Sequence, residues 1–437
     1  MSAGAVTVAA ARGGEGAAVH GAGCPVGEGR VHLAGAQAAE RFFAAGDDDL
    51  SHAEGWDAVF GGRFGRGVLN LDGERHRSCR QALVPLLRRS AVTAHQDLIR
   101  DSLARAVRAL PEGTPVEPGG TPVKPGSTPV EPGGTPVDLH AFTQPLAFTV
   151  AARLFAGMDE GEAAELRALF GELRTPPAGE LGTPGGNRAA RRVGRARRRV
   201  RELLRVAVGR LDDVDGPVRR LRALPDPPPD ELIGEHLAIL ILAGYETTGY
   251  LSARLLWLLA RHPHEQEAVR AEGGDPSTAP RLDAVFHETA RLHPPLAWLP
   301  RTARRDFDLG DTRVPAGTEV FYSVTDTQRD PEVFADPHTF RPERFTERLS
   351  VGATGGSARG SGGERHGRFA LTPFGAGRRI CVGIHLGTLE TKLIVSGLVR
   401  EFRLTAPDGP PIGDVSHNGS TVTSAAPLLA RLDRISG

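Results

Sequence analysis

The chain has 437 residues, and 40% of them are hydrophobic, enough for a large buried core. Its 53 Lys and Arg residues balance 53 Asp and Glu residues, so we expect neither a nucleic-acid nor a membrane partner. Three widely spaced cysteines, Cys24, Cys79 and Cys381, exclude a disulfide framework or cysteine-rich zinc site and suit a reducing cytoplasm. The longest apolar run, 237–245, is far below the roughly 18–20 residues of a membrane span, and no signal peptide is expected.

Three stretches of biased composition interrupt the chain. Residues 1–29 are rich in Gly and Ala without periodicity, which predicts a disordered N-terminal segment before regular structure begins near Arg30. Residues 113–137 repeat a seven-residue unit with two prolines, which forbids a helix and predicts an extended insertion. Residues 351–366 form a flexible, Gly/Ser-rich loop. We expect the rest of 30–437 to form one domain.

Helical periodicity dominates between these stretches. Apolar residues at three-to-four spacing predict helices over 72–87, 94–109, 146–155, 160–173, 187–211, 265–271 and 282–292. A longer helix is predicted over 230–262, about 48 Å at ~1.5 Å per residue. The segment 187–211 is rich in arginine, and a solvated face is favoured there over a nucleic-acid site.

Strand-like runs are short and lie mainly in the second half of the chain. They are predicted over 307–309, 312–314, 319–323, 402–405 and 428–432. Together with the helices they indicate a mainly α fold with a minor β-sheet region.

The most specific motif is the ten-residue segment 374–383, which reads F-x-x-G-x-R-x-C-x-G. An anionic sulfur at Cys381 can bind iron and push electron density through it. Glycines at Gly377 and Gly383 let the backbone come close, so that amide N–H groups point at the sulfur. The segment, beginning at Phe374, resembles the haem-ligand loop of the cytochrome P-450 superfamily, the haem-thiolate monooxygenases, in their soluble bacterial form. Arg379 would then donate a charge-assisted fork to a haem propionate.

The long predicted helix carries A-G-Y-E-T-T at 243–248, which resembles the family's oxygen-activating motif. The resemblance implies that Gly244 lets the helix pass close over the porphyrin. It also implies that Glu246 and Thr247 deliver protons during catalysis. The alternative for Thr247 is a hydroxyl bonded back to a carbonyl one turn earlier.

Two further sites would hold the haem propionates. His76 and Arg80 are four residues apart and share a helix face, matching the family's His-x-x-x-Arg. Arg301 matches the third propionate arginine, with a surface arginine at the start of a strand as its alternative. Cys79 lacks a ligand-loop context and is expected to be a packed thiol.

A structural triad is implied by the order of three charged residues. Glu288 and Arg291 form an E-x-x-R pattern, and Arg344 follows in F-R-P-E-R-F. By resemblance the three form a buried charge network that locks the segment beneath the haem. Because a lone buried partner would cost ~3–5 kcal/mol, the three should be satisfied together.

The resemblance covers roughly residues 31–437 and implies a single-domain cytochrome P-450 fold. This fold is a triangular prism with haem b between a long distal helix and the Cys381 loop. The implied reaction inserts one atom of O₂ into a small, largely apolar organic substrate, in specialised metabolism. Electrons would come from a separate ferredoxin and ferredoxin reductase, and the protein is expected to be a cytoplasmic monomer. Alternatives are a peroxygenase, a haem-thiolate enzyme of non-redox rearrangement, and a non-catalytic haem sensor.

The last two expectations concern the substrate pocket and the docking face for the electron carrier. Pocket residues inferred by resemblance, with ordinary core packing as the alternative, are Phe60, Phe64, Ile239, Ala243, Gly244, Leu296, Ala297 and Val422. A basic docking face for the electron carrier is expected on the Cys381 side, formed by Arg88, Arg89, Arg365, Arg368 and Arg378.

Overall fold

The computed structural model describes residues 9–10, 30–60, 62–110, 136–174, 184–309, 312–346, 369–410, 412–417 and 421–435. Most of the proline-rich repeat, the Gly/Ser-rich loop and all of 1–29 except Ala9–Ala10 lie outside these ranges. Those two alanines form a short strand inside the segment expected to be disordered.

Helices make up most of the described structure, as the periodicity predicts. They are α1 Ala36–Ala44, α2 His52–Phe60, α3 Gly73–Leu87, α4 Arg89–Val92, α5 Gln96–Arg108, α6 Leu139–Ala156, α7 Glu160–Arg174, α8 Pro184–Arg210, α9 Pro217–Arg222, α10 Asp230–Arg261, α11 Pro263–Glu272, α12 Pro280–Leu292, α13 Val324–Gln328 and α14 Ile384–Glu401. Every predicted helix is present. The periodicity predicted no helix at α1, α2, α4, α9, α13 or α14.

The strands form small sheets. They are β1 Ala9–Ala10, β2 Arg30–Leu33, β3 Leu50–Ser51, β4 Val137–Asp138, β5 Trp298–Ala303, β6 Phe307–Leu309, β7 Thr312–Val314, β8 Glu319–Ser323, β9 Phe402–Thr405, β10 Asp414–His417, β11 Thr421–Ser424 and β12 Leu429–Arg434. The largest sheet has the order β1-β2-β8-β5-β3, with β2 parallel to β8. The others are β4-β12-β9, β10-β11 and β6-β7. The predicted mainly α fold with a minor sheet region is confirmed.

The long helix α10 passes through the main hydrophobic core. It is apolar around most of its circumference, as expected of a helix buried on all sides. A Cβ at Gly249 would lie 2.9 Å from the Cα of Gln144, so glycine is required where α10 crosses α6. Within the described ranges, no helix combines the length and apolarity needed to cross a bilayer.

Helix α2 packs directly on strand β5. A Cβ at Gly55 would come within 2.7 Å of the backbone of Arg301, so only glycine allows this close approach. The backbone N–H groups of His52 and Ala53, in the first turn of α2, donate to the Asp72 carboxylate over 3.1 Å each. These contacts place α2 and Arg301 on one side of the candidate site.

Candidate active site

A cavity lies between the middle of α10 and the loop that precedes α14. It brings together most of the residues that the sequence singles out. Those that line it are Phe60, His76, Arg80, Ile239, Ala243, Gly244, Glu246, Thr247, Leu296, Arg301, Phe374, Arg379, Cys381 and Gly383. The walls otherwise consist largely of apolar side chains such as Trp56, Val68, Leu240 and Leu299.

Three expected pocket residues are not among those that line the cavity. Phe64 packs one layer behind Phe60, with ring centroids 6.1 Å apart. Ala297 and Val422 belong to a small apolar cluster at the side of the sheet. The neighbour of Val422, Thr421, lines the cavity in its place.

The Cys381 loop is fixed by its own backbone. The Cys381 N–H donates to the Phe374 carbonyl over 2.9 Å. Gly377 has a φ of +65°, and a Cβ there would lie 2.8 Å from the Phe43 carbonyl oxygen. The motif therefore needs glycine at 377 for the turn and its packing, while Gly383 is the residue whose N–H reaches the sulfur.

The thiol of Cys381 is surrounded by protein but open to the cavity. Burial raises the pKa of this thiol, while the Gly383 N–H and the charge of Arg80 act in the opposite direction. Cys79 is buried within α3, as expected of a packed thiol, and burial raises its pKa.

Cationic side chains collect at one side of the cavity. Arg80 donates to the Ile380 carbonyl over 2.7 Å, and Arg301 donates to the Pro300 carbonyl over 2.7 Å. Burial, followed by repulsion from Arg379, lowers the pKa of Arg301 to about 9. Burial and the neighbouring arginines also lower the pKa of His76 to about 4. The nearby Asp72 and Asp47 offset only part of this effect on Arg301, and further carboxylates placed beside that guanidinium would stabilise its charged form.

Arg379 is held by partners that the sequence analysis did not identify. It donates to the Leu71 carbonyl over 2.8 Å and to Asp72 over 3.0 Å, and it lies 2.8 Å from an oxygen of Asp47. The motif identified the arginine but gave no signal for its partners, which lie about 300 residues earlier in the chain.

The acid and threonine of α10 both line the cavity. Glu246 lies 3.1 Å from the Arg174 guanidinium and accepts a hydrogen bond from the Tyr245 hydroxyl over 3.1 Å. Burial raises the pKa of Glu246, although Arg174 and Tyr245 favour the charged form. Thr247 donates to the Ala243 carbonyl over 2.8 Å, which is the alternative anticipated for it, and still lines the cavity.

Gly244 lines the cavity, but its Cα faces α6. A Cβ there would lie 3.5 Å from Ala151 and 3.6 Å from Phe155, which are ordinary contacts. The packing of α6 against α10 therefore does not by itself require glycine at this position.

The Glu288–Arg291–Arg344 network is buried beside the cavity loop. Arg291 donates to Glu288 through two nitrogens, over 2.7 and 2.8 Å, and both side chains are fully buried. Arg344 approaches the same carboxylate to 3.5 Å. Arg291 also donates to the Gln328 carbonyl over 3.0 Å. The triad thus joins α12 to the segments that follow α13.

One cavity-lining acid was not anticipated. Glu390, on α14, is buried, and its Oε1 has no hydrogen-bond partner among the described residues. Burial raises its pKa well above the usual range, which favours the neutral carboxyl. Helical spacing across 384–401 could have located this side chain in the core. It could not have shown that Oε1 has no hydrogen-bond partner among the described residues.

Basic residues lie on the outer side of the Cys381 loop. Arg88, Arg89 and Arg378 are exposed. Burial and the charge of Arg89 lower the pKa of His385, which places that arginine near the first turn of α14. The other two residues of the expected docking face, Arg365 and Arg368, lie outside the described ranges.

Comparison with known proteins finds one family in the second half of the chain. The cytochrome P450 family model matches residues 226–429. Putative cytochrome P450 136 of Mycobacterium tuberculosis is 34% identical over 199 residues, covering 43% of this chain and 38% of the relative. Thromboxane-A synthase of Sus scrofa is 36% identical over 193 residues, covering 40% of this chain and 33% of the relative. The matched part thus spans about a third of each relative's own length.

Solved structures extend the likeness to most of the chain. Retinoic acid bound cyanobacterial CYP120A1 superposes with a TM-score of 0.73 and 21% identity, over 93% of this chain and 89% of that one. CYP175A1 of Thermus thermophilus gives a TM-score of 0.67 and 22% identity, over 93% and 90%. At these identities the likeness establishes the fold.

The cavity fits the cofactor of that family. Its cationic side suits the two propionates of haem b, because a carboxylate beside the buried Arg301 would stabilise the charged guanidinium. A thiol open to the cavity, with an amide N–H directed at it, suits an axial thiolate ligand. The family model assigns residues 226–429 to the cytochrome P450 family, whose cofactor is haem b, and the fold and the cavity residues of this chain agree with that family.

Proposed function

We propose that the protein is a haem-dependent monooxygenase that inserts one atom of O₂ into a small, largely apolar organic substrate. The observation that carries this proposal is the cavity itself. One side presents the Cys381 sulfur, and α10 contributes Glu246 and Thr247 to the lining. A thiolate ligand favours O–O cleavage when haem is bound, and that cleavage consumes protons.

The residues of this chain have separate roles in that proposal. Cys381 would ligate the iron, and His76, Arg80 and Arg301 would hold the propionates. Arg379, already bound by two aspartates, would act mainly by fixing the loop. Glu246, with its raised pKa and its place on the cavity wall, would pass protons inward, and Thr247 would relay them once its hydroxyl turns from the Ala243 carbonyl.

The lining supports an apolar substrate. Trp56, Phe60, Ile239 and Leu296 form much of the wall, and apolar walls with few polar groups are typical of small-molecule pockets. A role in specialised metabolism is part of this proposal, as are a cytoplasmic location and a monomeric state.

The test combines spectroscopy with stoichiometry. The reduced, CO-bound protein should show the red-shifted Soret band that gives the family its name. With a substrate selected by its low-spin to high-spin shift, turnover should consume O₂ and reductant and yield singly oxygenated product. Product formed from hydrogen peroxide alone at an undiminished rate would assign a peroxygenase instead. Conversion without consumption of O₂ would assign a rearrangement enzyme.

For electron supply we propose a separate ferredoxin, reduced by its own reductase, that docks on the Cys381 side. Arg88, Arg89 and Arg378 give that side positive charge, which would steer an acidic partner and lose effect with salt. Reversal of Arg88 and Arg89 to Glu should slow reduction by ferredoxin and flatten its dependence on ionic strength.

The matched control reverses two exposed arginines of α8, Arg191 and Arg192, which changes the charge of the protein by the same amount. Both variants should keep wild-type substrate affinity. Equal reduction rates in the two variants across the salt series would refute this docking face.

A further inference from the structure

Among the described residues, both donors to the Glu246 carboxylate contact the same oxygen. The Tyr245 hydroxyl and the Arg174 guanidinium both reach Oε1, over 3.1 Å each. Among the described residues, Oε2 has no hydrogen-bond partner, and the side chain lines the cavity. An acid held in this way can exchange a proton through the oxygen that remains available.

Tyr245 is a rigid donor. Its side chain is buried, and its ring packs edge-on against Phe148 at 4.8 Å between centroids, with Phe170 at 6.5 Å. These contacts hold the ring in the packed interior, with its hydroxyl at the Glu246 carboxylate. The contact with Glu246 is therefore a built feature of this helix.

Arg174 is held from a different direction. It is the last residue of α7, and its carbonyl accepts a hydrogen bond from Arg63 over 3.5 Å. Arg63 also donates to the Phe60 and Val59 carbonyls, over 2.7 and 3.2 Å, at the end of α2. The backbone of Arg174 is thus linked to the end of α2, whose Phe60 forms part of the cavity wall.

We propose that Tyr245 is a positioning residue for Glu246: with Arg174 it fixes Oε1 and directs Oε2 to the cavity. This inference rests on the proposed role of Glu246 in proton delivery. Donors to a carboxylate also favour its charged form, and here they oppose the effect of burial. Among the described residues, the charged or titratable groups around Glu246 are Tyr245, Arg174 and, behind it, Arg63.

Tyr245→Phe tests the proposal by removing one oxygen and keeping the ring. The fraction of reducing equivalents recovered in product should fall about tenfold, part of the ~10²–10⁴-fold that general acid–base catalysis supplies. In Tyr245→Phe the alkaline limb of the pH profile of coupling should move to higher pH, because the Glu246 carboxylate has lost a donor. The matched control is Tyr250→Phe, a buried tyrosine on the same helix, which should leave both unchanged.

A second readout does not need turnover. Glu246→Gln identifies the infrared band of the protonated Glu246 carboxyl by removing it. That band should titrate at higher pH in Tyr245→Phe than in wild type. Arg174→Lys keeps the charge but loses the guanidinium geometry. The pH at which its carboxyl band titrates should therefore lie between the values for wild type and Arg174→Gln. Wild-type coupling and titration in Tyr245→Phe would overturn the positioning role.

The outcomes also separate this inference from the function on which it rests. If Glu246→Gln and Thr247→Ala both retain wild-type coupling, proton delivery by this pair is wrong. If those two variants uncouple the cycle while Tyr245→Phe does not, only the positioning role of Tyr245 fails.

Discussion

The guanidinium of Arg379 donates to the carboxylate of Asp72 over 3.0 Å, across 307 positions of sequence. The same carboxylate accepts the backbone N–H groups of His52 and Ala53 at the start of α2. It also lies 3.0 Å from Arg304. One acid therefore connects the ligand loop, the first turn of α2 and the residue before α3.

Replacing Asp72 with Ala should destabilise both the fold and the haem site. Arg379 keeps Asp47 but loses Asp72, and the backbone donors of His52 and Ala53 lose their acceptor, so we expect a loss of about 1–3 kcal/mol. The free energy of unfolding in urea and the rate of haem transfer to apomyoglobin measure the two effects. Asp48→Ala, an exposed acid nearby, is the control. Equal stability of the two variants would contradict the linking role of Asp72.

The two described cysteines should respond differently to replacement. Cys381→Ala should abolish the characteristic CO band because it removes the sulfur that is open to the cavity. Cys79→Ala should keep the band, because that thiol is buried in α3 outside the cavity lining. Circular dichroism should show that both variants are folded. Loss of the band in Cys79→Ala alone would show that the ligand assignment is wrong.

Removing Arg291 should be one of the more costly single changes in this protein. Arg291→Met leaves Glu288 fully buried without its main partner, which costs about 3–5 kcal/mol. Glu288→Gln combined with Arg291→Met should recover part of that loss, as a double-mutant cycle on the free energy of unfolding would reveal. The control is Arg341→Ala, a surface pair with Asp336, for which about 0–1 kcal/mol is expected. Similar losses in the two single arginine variants would argue against the triad.

Features encoded by short sequence spacing were predictable. The long helix follows from its proline boundaries and apolar content, and the pairing of Glu288 with Arg291 follows from their i, i+3 positions. The Cys381 loop is a local turn, so its residue types alone identified it. Helix α14 also has apolar residues at helical spacing, but no helix was predicted there, directly after the Cys381 motif.

Contacts between distant segments were not predictable. Nothing near Arg174 in the sequence indicates that it meets Glu246, because their proximity depends on how α7 packs beside α10. The same holds for Asp72 and Arg379. Phe64 shows the reverse error: its position in the sequence favoured the pocket, but the fold places it one layer behind Phe60.

The buried acid Glu390 predicts a dependence of stability on pH. Its folded-state pKa is raised by burial above the ordinary value of 4.5, so between that value and the folded pKa the carboxyl is mostly neutral in the fold and mostly ionised in the unfolded chain. Below that ordinary value the carboxyl is protonated in both states, so its ionisation does not change the free energy of unfolding. As pH rises from there towards the folded pKa, the unfolded state gains up to about 1.4 kcal/mol per pH unit.

Glu390→Gln removes that dependence because its amide does not titrate. Urea unfolding at a series of pH values should show little difference from wild type near pH 4.5 and a growing advantage for the variant towards neutral pH. Glu332→Gln, an exposed change of the same kind, should not alter the difference across the series. If wild type instead gains stability relative to Glu390→Gln as pH rises, the acid is ionised and paired in the fold. That outcome would contradict the structure, in which Oε1 has no hydrogen-bond partner among the described residues.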